Sequence, residues 1–218
     1  MAPEAEPLVS TDEILILQEL MNIAFGKAAA DLAEVMEMSV VLSVPDVQIL
    51  RATQLPGYVR DAIGSSPRIS LVEQDFWGDF KGSAFLVLPA EASKALLAAL
   101  GTDPGQLAYD EGLLEPTATL ERETLMEVGN IVIGACVGKL AELLGTVVTY
   151  TPPSVAVDGQ PADSLHAGLF DGESSAVVLR TLFRFAQQDL DGFVFLVSSS
   201  ESIQWLRGAL ARFMARYA

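Results

Sequence analysis

The pattern of hydrophobic and polar positions predicts helices and strands in one order, and this order occurs twice along the chain. Ser10 and Glu13 match a capping box, which predicts the start of the first helix. A long helix, an extended stretch, two strands and a second helix are then predicted at residues 10–38, 39–50, 68–77, 82–89 and 90–101, the last ending at Gly101. Residues 56–67, which contain Pro and Gly, are interpreted as a connector.

The second half of the chain repeats this order. Thr119 is the expected N-cap of a helix whose residues 125–145 are apolar on almost every side. An extended stretch, two strands joined by a turn at Asp191 and Gly192, and an amphipathic helix are predicted at residues 146–157, 175–185, 192–199 and 201–218.

One constant offset superposes the two long helices and the extended stretches that follow them, and residues 81–91 align with residues 191–201 after a small insertion in the second half. The matching polar, glycine and proline positions are Glu19, Asn22, Gly26 and Pro45 in the first half and Glu127, Asn130, Gly134 and Pro153 in the second. Matches at a single offset indicate an internal duplication.

The duplication predicts an α/β (α+β) fold in which two pseudo-symmetric half-repeats, residues 10–105 and 112–218, form one domain of a sheet plus helices. Strand-rich halves of this size would expose open sheet edges if they stood apart, so a single domain over residues 10–218 is favoured. The acidic, Pro-containing residues 1–9 are predicted to be a disordered tail.

The two long helices carry the same polar stripe. Positions i, i+4, i+7 and i+11 of a helix lie on one narrow arc. In the second long helix these positions are Glu123, Glu127, Asn130 and Gly134, and in the first they are Leu15, Glu19, Asn22 and Gly26. The rest of each helix is largely apolar, so the stripe is the side left to face water or a partner.

A simple alternative is that these residues only supply the solvent-facing edge of a packed helix. Lys, Gln or Ala would serve that purpose better, because Asn costs about 0.6 kcal/mol and Gly about 1 kcal/mol relative to Ala inside a helix. A recent duplication could leave the same Asn and Gly in both halves by inheritance alone. Neighbouring positions have diverged, however, for example Ala24 against Val132. A functional stripe is therefore the favoured interpretation.

Composition excludes several functions. The formal net charge of -16 opposes binding to nucleic acid or to an anionic membrane. The N-terminus lacks the features of a signal peptide, and the single cysteine, Cys136, suits a reducing cytoplasm, so a cytoplasmic protein is expected. With Cys136 and one histidine, His166, the chain alone cannot assemble a zinc site or a Cys–His pair, and no metal or cofactor of its own is expected.

A carboxamide can hold a water molecule in line for attack, although it cannot act as a base. Such positioning is effective when the electrophile is already activated by a partner's metal ion and lysine, as in an aspartyl phosphate on another protein. A glutamate one turn away could then pair with a cation of that partner, and the glycines would allow close approach.

The doubled Glu-x-x-Asn pattern, with a following Gly and a Pro at one fixed distance, resembles the CheC/CheX/FliY family of chemotaxis phosphatases over nearly the whole chain past the tail. That family has an Asp or Ser, three residues, Glu, two residues, Asn, and a Pro after a further twenty-two. Glu127, Asn130 and Pro153 match this pattern, as do Glu19, Asn22 and Pro45. Two copies in one chain are most similar to CheC.

The resemblance implies a CheC-like fold and a phosphatase that dephosphorylates a CheY-like response regulator. Asn130 and Asn22 would orient the attacking water and Glu127 and Glu19 would contact the regulator, which supplies the Mg²⁺. The Asp or Ser position holds Glu123 in the second half but Leu15 in the first, so the second site is favoured. Some CheC proteins also bind the deamidase CheD, and the resemblance leaves this partner open.

Two other functions remain as alternatives. A non-catalytic module or scaffold of chemotaxis signalling would bind the regulator through the same helices without accelerating hydrolysis. An unrelated enzyme with a cleft between the halves has no supporting residues, and a Ser-His-Asp triad would have to use His166 without a Gly-x-Ser-x-Gly elbow.

Overall fold

A computed structural model describes residues 10–64, 68–100, 116–159, 175–185 and 190–215. The helices are α1 (Thr11–Val35), α2 (Leu55–Ile63), α3 (Ala90–Ala99), α4 (Pro116–Leu144) and α5 (Ser200–Met214), with a short 3-10 turn at Ala52–Gln54. The strands are β1 (Val40–Leu42), β2 (Asp46–Arg51), β3 (Ile69–Gly78), β4 (Gly82–Pro89), β5 (Val148–Tyr150), β6 (Ser154–Gly159), β7 (Ser175–Phe185) and β8 (Leu190–Ser199). The predicted α+β fold class is confirmed.

The start of α1 follows the sequence pattern. The Ser10 hydroxyl accepts from the Glu13 N–H at 3.2 Å, and the Glu13 carboxylate accepts from the Ser10 N–H at 2.8 Å. This capping box satisfies two of the free donors at the helix N-terminus. The helix ends at Val35, three residues before the predicted end at Met38, and Glu37 has a positive φ of 52°.

All eight described strands form one antiparallel sheet in which the two halves exchange strands. The main order is β1-β7-β8-β4-β3-β5, while β2 pairs with β7 and β6 pairs with β3. The short strands β1 and β2 of the first half therefore complete the second half's sheet, and β5 and β6 complete that of the first. This exchange ties both halves into one sheet, although the domain bounds given above stay a prediction.

Side chains alternate between the two faces of the sheet. Along β4, Ala84, Leu86 and Leu88 join the large core that also contains buried side chains of α1, α3, α4 and α5. Phe85 and Val87 point to the opposite face, where α2 covers a smaller cluster. The long helices α1 and α4 pack against each other over the first face. Their outer surfaces are consequently the parts left to solvent.

One predicted connector is a helix. The Pro and Gly of residues 56–67 predict a connector, but α2 covers Leu55–Ile63. Pro is tolerated in the first turn of a helix, where its missing N–H is not needed. Leu55, Val59 and Ile63 are four residues apart and all buried, and this helical spacing is the signal that the prediction overlooked.

Two predicted boundaries are also wrong. Helix α4 begins at Pro116, so Thr119 lies inside it rather than at its N-cap. Asp191 and Gly192 lie in β8, paired with Arg184 and Phe183, instead of in a turn. The guanidinium of Arg184 forms two hydrogen bonds with the Asp191 carboxylate, which shows how a turn-forming residue is accommodated within a strand pair. The predicted tail 1–9, Gly101 and His166 lie outside the described residues.

Helix α4 is long and apolar enough to cross a membrane by length and composition, over Thr119–Leu144. Half of its most apolar window is buried inside the protein, however. Leu125, Val132, Ile133 and Val137 on this helix have no exposed surface and belong to the main core. The apolar character of α4 is therefore that of a central core helix.

Candidate functional site

The polar stripe of α4 lies on the surface. Glu123, Glu127 and Asn130 are exposed and Gly134 is half-buried. Residues between them, such as Leu125, Val128 and Val132, are buried against the core. The apolar sides of the helix thus hold it against the core, while Glu127 and Asn130 remain exposed.

The stripe of α1 has the same exposure. Glu19, Asn22 and Gly26 are exposed, and Leu15 has 58% of its surface in solvent. A large apolar side chain at that position adds nothing to the core and removes the polar group that Glu123 supplies on α4. The two stripes therefore differ chemically at one end.

An ion pair between α1 and α4 shows how the stripes are arranged. Lys139 Nζ lies 2.9 Å from Asp31 Oδ2, and these residues are equivalent positions of the two repeats. Each Asn lies nine residues before this contact on its own helix, or about 13 Å at 1.5 Å per residue. Val35 at the end of α1 shares a pocket with Thr124 and Glu127, which precede Lys139 on α4, whereas Val35 follows Asp31 on α1, so the helices run in opposite directions. The two stripes consequently lie at opposite ends of the helix pair.

A pocket of about 310 Å³ adjoins the α4 stripe. Glu127 and Thr124 are the polar residues at its wall, and the others are Val35, Met36, Leu100, Val128 and Ile131. An exposed carboxylate thus lies next to an apolar depression, which suits a partner that offers a cation beside an apolar side chain.

The stripe glycines are not required by packing. A Cβ atom added to Gly26 or Gly134 would meet no other atom within 4 Å. Gly129, on the buried side of α4, differs because an added Cβ would collide with the side chain of Val72. The fold therefore explains Gly129 but leaves Gly26 and Gly134 unexplained.

The side chain of Asn130 is hydrogen-bonded to a residue that the sequence analysis did not identify. Gln74 Nε2 of β3 donates to Asn130 Oδ1 at 2.9 Å. Gln74 is 2% exposed and shares the apolar face of β3 with Val72 and Phe76. The sequence does contain a signal for Gln74. It is a polar residue on a strand face whose neighbouring residues, two positions before and after it, are apolar.

The two matching prolines lie where short strands of each half meet. Pro45 lies between β1 and β2, and Pro153 lies between β5 and β6. Gln18 of α1 donates to the Pro45 carbonyl at 2.8 Å. The proline N atom, which has no hydrogen to donate, thus falls between strands, where no ladder bond is lost.

The thiol of α4 is buried and poorly placed to ionise. Cys136 is buried, and this burial raises the pKa of its thiol to about 12. Burial also raises the pKa of Tyr150 to about 12. In the described ranges no three His, Cys, Asp or Glu side chains are grouped so that they could hold a metal ion. The exposed side chains of Glu127 and Asn130 can form hydrogen bonds, and Glu127 can also pair with a cation.

Comparison with known proteins agrees with this geometry. The model of the CheC-like family matches residues 120–157, which include the whole α4 stripe and Pro153. The CheY-P phosphatase CheC of Bacillus subtilis (strain 168) is 25% identical over 207 residues, covering 93% of this chain and 95% of that protein. The predicted resemblance to the CheC/CheX/FliY family is confirmed.

Solved structures extend the likeness to the fold. FliY of Thermotoga maritima has a TM-score of 0.68 at 18% identity, covering 95% of this chain and 100% of the other. The middle domain of FliM from Vibrio alginolyticus has a TM-score of 0.56 at 17% identity, covering 88% and 98%. Proteins with different names thus share this fold, and function has to be argued from the site.

Proposed function

We propose that this protein accelerates hydrolysis of the aspartyl phosphate on a CheY-like response regulator. The observation that carries the proposal is the exposed pair Glu127 and Asn130 on a helix whose opposite side is buried in the core, within the segment that matches the CheC-like family. The similarity to a protein named CheY-P phosphatase CheC supports the same substrate.

In this mechanism Asn130 enters the regulator's active site and orients a water molecule opposite the aspartate oxygen. The water oxygen forms a bond to phosphorus while the bond between phosphorus and the aspartate oxygen breaks, releasing phosphate and the free carboxylate. A carboxamide takes no proton at neutral pH, so its contribution is alignment of the water rather than base catalysis. The regulator's own Mg²⁺ would neutralise charge on the phosphoryl oxygens.

Glu127 fixes the position of the regulator. It lies one helical turn before Asn130, is exposed, and borders the apolar pocket. Pairing of its carboxylate with a cation on the regulator would set the register in which Asn130 enters. Glu123 extends the acidic surface by a further turn, and Gly134 leaves room for close approach beyond Asn130.

The α1 stripe is proposed as a second and weaker site. Asn22 and Glu19 have the same spacing and exposure as Asn130 and Glu127, with Gly26 in the role of Gly134. Leu15 replaces the acidic residue that would widen the docking surface. Because the two stripes lie at opposite ends of the helix pair, each would engage its own regulator molecule. A response regulator as substrate implies the cytoplasm as the location.

The test is the decay of a phosphorylated CheY-like regulator with Mg²⁺ present, alone and with this protein. We expect acceleration by the wild type, a fall on the order of a hundredfold with Asn130→Ala, and full loss with Asn130→Ala plus Asn22→Ala. Gln204→Ala removes an exposed carboxamide on α5, a helix that carries neither stripe, and is the matched control.

The same assay separates the alternative function. The alternative is a non-catalytic binding or scaffold module, because proteins with different names share this fold and the fold alone does not decide between the two functions. Measurable binding of the phosphorylated regulator with an unchanged decay rate for every regulator tried would overturn the phosphatase proposal and support that module.

A further inference from the structure

Gln74 is a buried polar side chain whose amide orientation is determined by its surroundings. Its Nε2 donates to the Thr151 carbonyl oxygen at 2.9 Å and to Asn130 Oδ1 at 2.9 Å. A backbone carbonyl can only accept, so the Gln74 nitrogen must lie on that side. The other hydrogen of the same nitrogen then points at Asn130, which must present its oxygen.

The acceptor Thr151 is itself held in place. Its N–H donates to the Asp75 carbonyl at 3.0 Å, and its hydroxyl accepts from the Asp75 N–H at 3.0 Å. The frame that orients Gln74 is therefore part of the strand arrangement rather than a mobile side chain. It follows that the Asn130 carboxamide is fixed with its Nδ2 turned away from the sheet, while Oδ1 keeps one further lone pair.

This arrangement has a cost in stability. Gln74 Oε1 is buried and has no hydrogen-bond partner among the described residues. A buried oxygen without a partner is unfavourable, and an apolar side chain would avoid this penalty. The presence of glutamine is thus better explained by its bond to Asn130 than by the needs of the core.

The other half of the chain provides an internal comparison. Gln74 pairs with Ala84 of the neighbouring strand β4. In the other half, the residue aligned with Ala84 is Val194, and Val194 pairs with Thr181 of β7. Thr181 is therefore the counterpart of Gln74. The Thr181 hydroxyl donates to the Ser43 carbonyl at 2.7 Å, as Gln74 does to Thr151. Thr181 is too short to have a second donor for the helix, and no hydrogen bond to the Asn22 side chain is found within the described part of the chain.

We propose that Gln74 is a positioning residue, which holds the Asn130 carboxamide in one orientation before the regulator docks and makes α4 the more active of the two sites. The inference rests on the proposed phosphatase function. A carboxamide that is already oriented loses less freedom when it aligns the water, so the benefit falls on the chemical step rather than on binding.

The kinetic test uses Gln74→Leu, which keeps the volume, and Gln74→Thr, which copies the other half. Each should lower kcat for regulator dephosphorylation by about tenfold with KM unchanged, and neither should have any further effect in the Asn130→Ala background. The reciprocal Thr181→Gln should raise the residual activity of Asn130→Ala. An unchanged kcat in folded Gln74 variants, or an equal loss in the Asn130→Ala background, would overturn the proposal.

A second measurement does not depend on activity. Asn22 and Asn130 are the two asparagines of the chain, so selective ¹⁵N-asparagine labelling gives two side-chain amide signals. We expect a higher order parameter for Asn130 than for Asn22 in the wild type, and equal mobility after Gln74→Leu. Equal mobility in the wild type would contradict the positioning role even if dephosphorylation occurs. Ordered Asn130 without dephosphorylation would contradict only the proposed function.

Discussion

Phe85 of β4 lies directly opposite Phe195 of β8 at the centre of the sheet. The two residues are counterparts in the aligned repeats, so the pseudo-twofold axis passes between them. Both are almost completely buried, at 1% and 0% exposure. Because each half also lends its short strands to the other, neither half contains the full set of strand neighbours that it needs.

Phe85→Ala should lower the free energy of unfolding by about 3–5 kcal/mol, since it leaves a cavity on the α2 face of the sheet. Urea denaturation followed by circular dichroism measures this loss. Leu15→Ala is the control, because Leu15 is 58% exposed and its truncation should change stability by less than about 0.5 kcal/mol.

The exchange of strands predicts a single unfolding transition. Trp77 in β3 and Trp205 in α5 are the two tryptophans of the chain and report on different halves. For each of the single-tryptophan variants Trp77→Phe and Trp205→Phe, the urea midpoint measured by fluorescence should equal the midpoint measured by circular dichroism. Two separate transitions within one variant would show that the halves fold independently.

Exchanging the residue types at Glu123 of the α4 stripe and Leu15 of the α1 stripe should alter docking of the regulator. Glu123→Leu is expected to raise KM for the phosphorylated regulator several-fold with little change in kcat, because an acidic contact is lost outside the reacting centre. Leu15→Glu should lower the KM of the α1 site, measured in the Asn130→Ala background. Both positions are exposed, so urea midpoints should stay close to the wild-type value.

Gly134→Ala distinguishes a packing role from a docking role. An added Cβ meets no atom within 4 Å, so the substitution should raise the free energy of unfolding by up to about 1 kcal/mol through helix propensity. A rise in KM together with higher stability would support close approach of a partner. Gly129→Ala is the contrasting variant and should destabilise, because its Cβ would collide with Val72.

The buried thiol of Cys136 should make the protein less stable at alkaline pH. Burial raises the pKa of its thiol from an ordinary value near 9 to about 12. Below pH 9 the thiol is protonated in both the folded and the unfolded chain, so the neutral buried thiol makes its full contribution to the free energy of unfolding. As the pH rises toward 12, only the unfolded chain ionises, and the free energy of unfolding should fall by at most about 1.4 kcal/mol per pH unit.

The measurement is urea denaturation at pH 8 and pH 10.5 for the wild type and for Cys136→Ala. The variant lacks the thiol, so its stability should decline less over this interval than that of the wild type. Parallel declines would show that other groups account for the pH dependence.

Much of the architecture could be predicted from local patterns. The capping box at Ser10, the helical periodicity of α1 and α4 and the constant offset between the repeats all lie within short stretches of chain. Local pattern also predicts the exposure of Glu127 and Asn130, because the helical spacing of the apolar residues in α4 shows which side of the helix faces the core. The spacing of Leu55, Val59 and Ile63 could also have indicated α2.

The sequence by itself therefore determined the duplication, the order of elements and the polar stripe of α4, which lies in the segment that the CheC-like family model matches. Only the tertiary structure decided that the short strands cross to the opposite half and that Gln74 reaches Asn130. These are contacts between residues far apart in the chain, and their register depends on how all the strands and helices pack together at once. Local periodicity indicates which face of a strand is buried, but it does not indicate which distant strand lies beside it.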